Sequence, residues 1–381
     1  MLRSLAALLI AFTLTAAATA HAQAQARTGP VDPAARAAHL RRGVNLSDWF
    51  RQVADERHFD TDRAARAVTR ADLDRLRALG IDHVRLAVNP APLFRAAEAD
   101  RIPADQLAVV DGAVRLVLEA GLAVQIDLQP DQGFKRQLTN DRFVEQFADF
   151  WRALAAHFAD TDPERVFLEI INEPELGDPY RWYGVQTRLA AAIREGAPRH
   201  TIIATGAQYS DEDDLLFQQP LRDPNVIYTF HFYQPFLFTH QGATWSEYYW
   251  HFLKGVPWPA RREEARAAAA AVPDPLHRLA VERYGESHWG RERVDFEIGQ
   301  VRAWADRYRV PVICNEFGVY RQNAAEGERV AWLRDVRRAL EQQGLGWTAW
   351  DFDGTFGIAT RRDGVLRFDT AAVEALGLGG R

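Results

Sequence analysis

Cysteine occurs once in these 381 residues, as Cys314, which excludes an intrachain disulfide and leaves stability to the core. It stands in the apolar run Val310-Pro-Val-Ile-Cys314, so a buried structural thiol is expected. A nucleophilic cysteine would need a base and an electropositive setting. Lysine is nearly as scarce: of 46 basic residues only Lys135 and Lys254 are lysines, and the arginines are scattered among acidic residues at a net charge of −6. That scatter excludes the clustered positive footprint of a nucleic-acid binder. Also missing are G-x-S-x-G, H-E-x-x-H and the P-loop. Gly344-Leu-Gly346-Trp-Thr-Ala349 spells a dinucleotide fingerprint but precedes a strand, where no phosphate turn belongs. Asp351-Phe-Asp353-Gly354 and Asp211 to Asp214 lack calcium-loop spacing and read as solvated turns. No metal or organic cofactor is expected.

Long apolar stretches are confined to the start. Arg3, the run Leu5 to Leu14 and Ala20-His21-Ala22 form a secretory signal pattern, cleaved after residue 22. The run is shorter than the ~20 residues a bilayer crossing needs. Residues 23–38 read as a flexible lead-in. A secreted or periplasmic protein is expected, with no membrane attachment after cleavage.

What remains is ordinary globular material, 47% hydrophobic and 11% aromatic, enough for one large core. Eight apolar runs bounded by turn signals read as strands: 43–46, 83–88, 122–128, 166–171, 201–204, 226–230, 310–314 and 346–350. Helical periodicity fills the gaps, and Gly80, Gly121, Gly196 and Gly344 stand where left-handed helix stops belong. Eight parallel strand–helix units in one chain predict a (β/α)8 TIM barrel, a single domain over 39–381. The longest gap, Tyr233 to about Arg291, is an aromatic-rich insertion after the sixth strand. Half or more of its rings are expected to form a satellite core.

Barrel enzymes keep working residues where strands end. That rule selects Asn45 and Trp49 after the first strand, Arg85 on the second and Gln129 after the third. It adds Asn172-Glu173 on the fourth, His231 and Tyr233 on the sixth, Asn315-Glu316 on the seventh and Trp350 on the eighth. Glu173 and Glu316 face each other across one ring, an arrangement suited to glycoside hydrolysis, in which one carboxyl protonates the leaving oxygen and its counterpart attacks.

Arg42 to Trp49, Val166 to Pro174, Ile227 to Tyr233, Pro311 to Gly318 and Thr348 to Trp350 together resemble glycoside hydrolase family 5, the cellulase-like retaining β-glycanases. The resemblance covers nearly the whole chain after residue 38. It implies that Glu173 is the acid/base, Glu316 the nucleophile and Asn172 the partner of the sugar 2-hydroxyl. It further implies that Arg85 and Tyr233 hold the nucleophile, His231 neighbours the acid/base and Trp350 underlies the reacting sugar. Burial and a nearby anion are expected to keep Glu173 protonated, with Arg85 keeping Glu316 charged. Gln129 departs from the family, which carries histidine there; glutamine hydrogen-bonds but does not titrate near neutrality.

The function read from this is a retaining endo-β-glycosidase on a β-linked glucan or related exopolysaccharide, expected to be a monomer needing no protein partner. Transglycosylation on the same residues, and a carbohydrate-binding protein without catalysis, are the alternatives.

Overall fold

The computed structural model describes residues 31–380 except 54–56 and 246–247. The signal-peptide expectation therefore lies outside the described residues. Among the described residues, no helix is long and apolar enough to cross a membrane.

Eight parallel strands close into a barrel: β1 Arg42–Leu46, β2 His83–Val88, β3 Ala123–Leu128, β4 Val166–Glu169, β5 Thr201–Ala204, β6 Val226–Phe232, β7 Val312–Phe317 and β8 Gly346–Ala349. Each strand pairs with its sequence neighbour, and β8 returns to β1 through Gly43↔Thr348. This is the (β/α)8 architecture that the alternation predicts.

The barrel interior is layered. Ala123, Phe167, Ile203, Ile227 and Ile313 fill the lower end together with Leu40. Two residues further along the strands the inward positions turn polar, with Arg85, Gln125, Glu169 and Asn315 all buried. Alternation of period two thus carries one apolar floor and one charged layer. The outer layer is made by helices such as Asp141–Phe158. Its Val144, Phe147, Phe150, Trp151, Leu154 and Phe158 recur at helical spacing and are all buried against the strands.

Three differences from the sequence reading are physical. The lead-in is ordered earlier than residue 39: Pro33–Ala37 is helical, and Arg36 is buried beneath the barrel, bonded to Glu164 at 2.9 Å and Thr201 at 3.1 Å. Gly80, Gly121 and Gly344 take positive φ, but Gly196 does not. Gly196 ends helix Pro179–Gly196, and a Cβ there would lie 2.3 Å from the Arg152 carbonyl oxygen, so it serves close helix approach. A hairpin, β9 Ala359–Arg362 and β10 Val365–Phe368, follows β8. Its arginine-rich strands are too short and polar to show as apolar runs.

In the insertion after β6, Phe238, Leu253, Val256, Trp258 and Val281 are buried, but they join the main apolar core of the barrel and do not form a satellite core of their own. Trp245 alone of its described tryptophans is largely exposed, 56%, and stands edge-on to Tyr320 at 4.8 Å.

Candidate active site

The seventh strand shows how the chain arms its end. Strict alternation would send Asn315 and Glu316 to opposite faces, yet both side chains reach the barrel interior. A register shift makes this possible: Phe230 pairs with Cys314, and the next residue, His231, pairs with Glu316, skipping Asn315. Bulges of this kind re-aim side chains next to active sites. Asn315 donates to Glu169 Oε1 at 2.9 Å, while Glu316 turns to Arg85.

Arg85, fully buried on β2, organises the layer. Its Nε and Nη2 grip Glu169 at 2.8 Å each, Nη1 donates to Glu316 Oε2 at 2.9 Å and to Asn45 Oδ1 at 3.0 Å, and Nη2 donates to Asn172 Oδ1 at 2.9 Å. Asp127 Oδ2 lies 3.0 Å from Nη2. Burial disfavours the guanidinium charge, but Asp127, Glu169 and Glu316 outweigh it and hold Arg85 protonated. Three carboxylates around one cation are too many anions for a dry site. Burial above all pushes Asp127 well up.

Glu316 receives a second donor, the Tyr233 hydroxyl, on Oε1 at 2.8 Å. Burial and the adjacent Glu316 raise the phenol well above its ordinary range, so it remains a donor. His231 Nε2 stands 3.6 Å from Glu316 Oε2, and its Nδ1 is 3.1 Å from Glu173 Oε1. Ligating atoms of Glu173, His231 and Glu316 all lie within 4.8 Å of one another. Glu173 pairs with His231 Nδ1 and Glu316 with Arg85 and Tyr233, while His231 Nε2 has no hydrogen-bond partner.

Glu173 itself sits just past β4 in the left-handed region, φ 42°, as does Glu175 at φ 55°. For residues with a side chain such φ values cost about 1–3 kcal/mol and persist where the surroundings over-determine them. Here the backbone is tied on both sides: Asn172 N–H donates to Leu128 O at 2.8 Å, Glu175 N–H to Gln208 O at 2.9 Å and Leu176 N–H to Ala207 O at 2.9 Å. One electrostatic expectation is overturned. Burial works to raise the Glu173 pKa, but the hydrogen bond and charge of His231, with Lys135 and Arg85 behind it, bring it below the usual range. Burial and the Glu316 anion, the grounds of that expectation, are outweighed by His231, Lys135 and Arg85.

The remaining expected residues divide. Trp350 stands at the mouth beside Tyr233, Tyr320 and Phe356, with the Arg51 guanidinium 5.6 Å from its ring centre. Gln129, buried past β3, has an amide nitrogen with no hydrogen-bond partner. Asn45 is wholly buried, its amide nitrogen donating to the carbonyls of Asn315 and Ala349, so it braces Arg85 and does not face the cleft. Trp49 is a correction. Its ring is buried and stacked on Phe50 at 5.2 Å, with its N–H bonded to Ala64 O at 2.8 Å, because the short helix Ser47–Phe50 turns that face into the core. Cys314 is buried, and burial pushes its thiol well up, which makes it inert packing.

Sequence reading missed Glu169, Asn315 as its partner, and the pair Lys135–Glu175. Glu169 carried a visible signal: an acidic side chain at an inward position of an otherwise apolar strand needs a buried cation.

The family model described as Cellulase (glycosyl hydrolase family 5) matches residues 54–355. Endoglucanase C of Acetivibrio thermocellus is 26% identical over 322 residues, covering 82% of this chain and 91% of the relative. Endoglucanase 3 of Fibrobacter succinogenes is 25% identical over 359 residues; that match takes in 90% of this chain and 53% of the relative, so the chain spans about half of its length. Among solved structures, Thermotoga maritima Cel5A in complex with cellobiose superimposes with a TM-score of 0.73 at 24% identity, covering 91% of this chain and all of that one. The same protein has been solved with mannotriose.

Proposed function

The chain belongs to glycosyl hydrolase family 5, and from that premise we propose that it is a retaining endo-β-glycosidase of β-linked glucans, with Glu316 as nucleophile and Glu173 as acid/base. The observation that carries this reading is the unequal treatment of two facing carboxylates. Glu316 accepts from Arg85 and Tyr233, while Glu173, within 4.8 Å of it, shares a proton-bearing hydrogen bond with His231. Separations near 5–5.5 Å favour direct attack and retention, whereas inversion needs ~6.5–9.5 Å to admit a water.

In the first step a Glu316 oxygen bonds to C1 as the C1–O bond breaks, and the departing oxygen takes a proton from Glu173. In the second, Glu173 takes a proton from water whose oxygen attacks C1 and releases Glu316. The low pKa of Glu173 in the open cleft is reconciled by the substrate. A bound pyranose strips water from the Glu173 carboxyl, which favours the neutral acid. Arg85 occupies Asn172 Oδ1, which leaves the amide NH2 end to meet the 2-hydroxyl. Trp350 offers a face to the apolar side of the sugar. We place this activity outside the cytoplasm, on the signal pattern of residues 1–22.

The test is a β-glucan and β-mannan polymer panel with product sizing, joined to labelling by a 2-fluoro glycoside. A fluoro-sugar adduct on the Glu316 peptide and a β-configured first product are expected. An α-configured product, or an adduct elsewhere, rejects the assignment.

A further inference from the structure

Two lysines in a chain otherwise furnished with arginine invite a question about where they stand. Lys254 is exposed, but Lys135 is 5% exposed, in the short helix Gln132–Arg136 that follows β3. Its Nζ meets Glu175 Oε1 at 2.7 Å, across from the β3 loop to the β4 loop. Glu175 is one of the two left-handed residues that bracket Pro174, the other being Glu173. The pair therefore clamps the turn that presents Glu173, two residues from it.

Resting on the reading of Glu173 as acid/base, we propose that Lys135 and Glu175 are a positioning pair: the ion pair holds the left-handed turn, and the balance of its charges sets how tightly the Glu173–His231–Glu316 cluster keeps its protons. The groups that face Glu173 are His231 from β6, Arg85 from β2, Glu316 from β7, Tyr233 and His240 from the loop after β6, and Lys135 from the helix after β3. Arg85 is committed to three carboxylates. Burial pushes His240 down to about 4, so it is neutral near pH 7. Lys135 is then the cation whose influence on Glu173 is metered by a single partner, Glu175.

That arrangement makes a prediction of opposite signs. Removing the ammonium in Lys135→Met withdraws a positive charge and raises the cluster's proton affinity. The basic limb of kcat/KM against pH, measured on an aryl β-cellobioside with the full chain, moves up by about half a pH unit. Removing the carboxylate in Glu175→Gln leaves the ammonium unneutralised, and the same limb moves down by a similar amount. Lys135→Arg keeps the charge and the limb. A pin with no electrostatic role lowers kcat in both neutralising variants without moving either limb, and that result, or shifts of the same sign, overturns the proposal. Should Lys135→Met fail to fold, Glu175→Gln and Lys135→Arg still decide it. Glu173→Gln separates the two readings: turnover of unactivated glucan by that variant rejects the acid/base assignment, whereas an inactive Glu173→Gln with unmoved limbs elsewhere rejects the pair alone.

Discussion

The Tyr233 hydroxyl and the Glu316 carboxylate meet at 2.8 Å inside a site where both are buried, so this bond is made in the absence of competing water. A hydrogen bond to a charged group under such conditions contributes roughly 1.5–3 kcal/mol. Tyr233→Phe keeps the ring, which packs on Phe356 at 6.1 Å, and removes only the donor. We expect kcat/KM to fall about 10- to 100-fold with a melting temperature close to that of the parent. A loss below twofold would show that Arg85 alone suffices to hold the nucleophile.

The two glutamates are separable by leaving group. On the proposed roles, removing Glu173 leaves the departing oxygen without a proton donor, so Glu173→Ala should lose nearly all activity on a glucan and keep much of it on a dinitrophenyl glycoside, whose phenolate needs no proton. Added azide should then trap the glycosyl-enzyme as a β-azide. Glu316→Ala has no such escape and should be inactive on both substrates. Equal losses in the two variants on the activated substrate would contradict the division of roles.

How much of this was written in the residue order is clear from single positions. Glu173 and Glu316 were visible because strand ends are visible, and a barrel brings any two of its strand ends to one face. Arg85 was visible as a polar residue in an apolar strand. Trp49 misled because its spacing after β1 is that of a site residue, and only packing shows that the short helix Ser47–Phe50 rotates it onto Phe50. The Glu173 protonation state was illegible for a different reason: it depends on His231 and Lys135, which come from β6 and from the helix after β3, and sequence does not say which charges converge. The bulge that lets Asn315 and Glu316 both face inward is equally a tertiary fact, since period-two alternation argues against it.

Gly196 offers a test of packing apart from chemistry. An added Cβ would lie 2.3 Å from Arg152 O and 2.8 Å from Ala156 N, both backbone atoms that no side-chain rotation relieves. Helices Asp141–Phe158 and Pro179–Gly196 must then separate locally. Gly196→Ala should lower stability by about 1–3 kcal/mol, as overpacking does, read as a shift of the urea midpoint. Its kinetic constants at low temperature should match the parent, because neither helix carries a member of the Glu173–His231–Glu316 cluster.

Asp351, immediately after Trp350, supplies a pH dependence that belongs to the fold. Its side chain is 3% exposed, Ser47 Oγ donates to Oδ2, and Oδ1 has no hydrogen-bond partner. Burial is the main cause that pushes its pKa up to about 7, with Asp48 and Asp353 adding repulsion and Ser47 and Arg51 opposing them. A carboxyl whose folded pKa lies above its unfolded value binds its proton more tightly in the native state. Its contribution is therefore fully present below the unfolded pKa near 4 and is lost as pH rises through about 7. The folded chain should accordingly lose stability, by an amount on the order of several kcal/mol, between those limits. Asp351→Asn retains an acceptor for Ser47 and cannot ionise. Denaturant midpoints taken at half-unit steps from pH 4 to 8 should slope downward in the parent and run flatter in the variant. Parallel slopes in the two proteins would assign the pH dependence to other groups, Asp127 and Glu212 being the next buried acids with raised values.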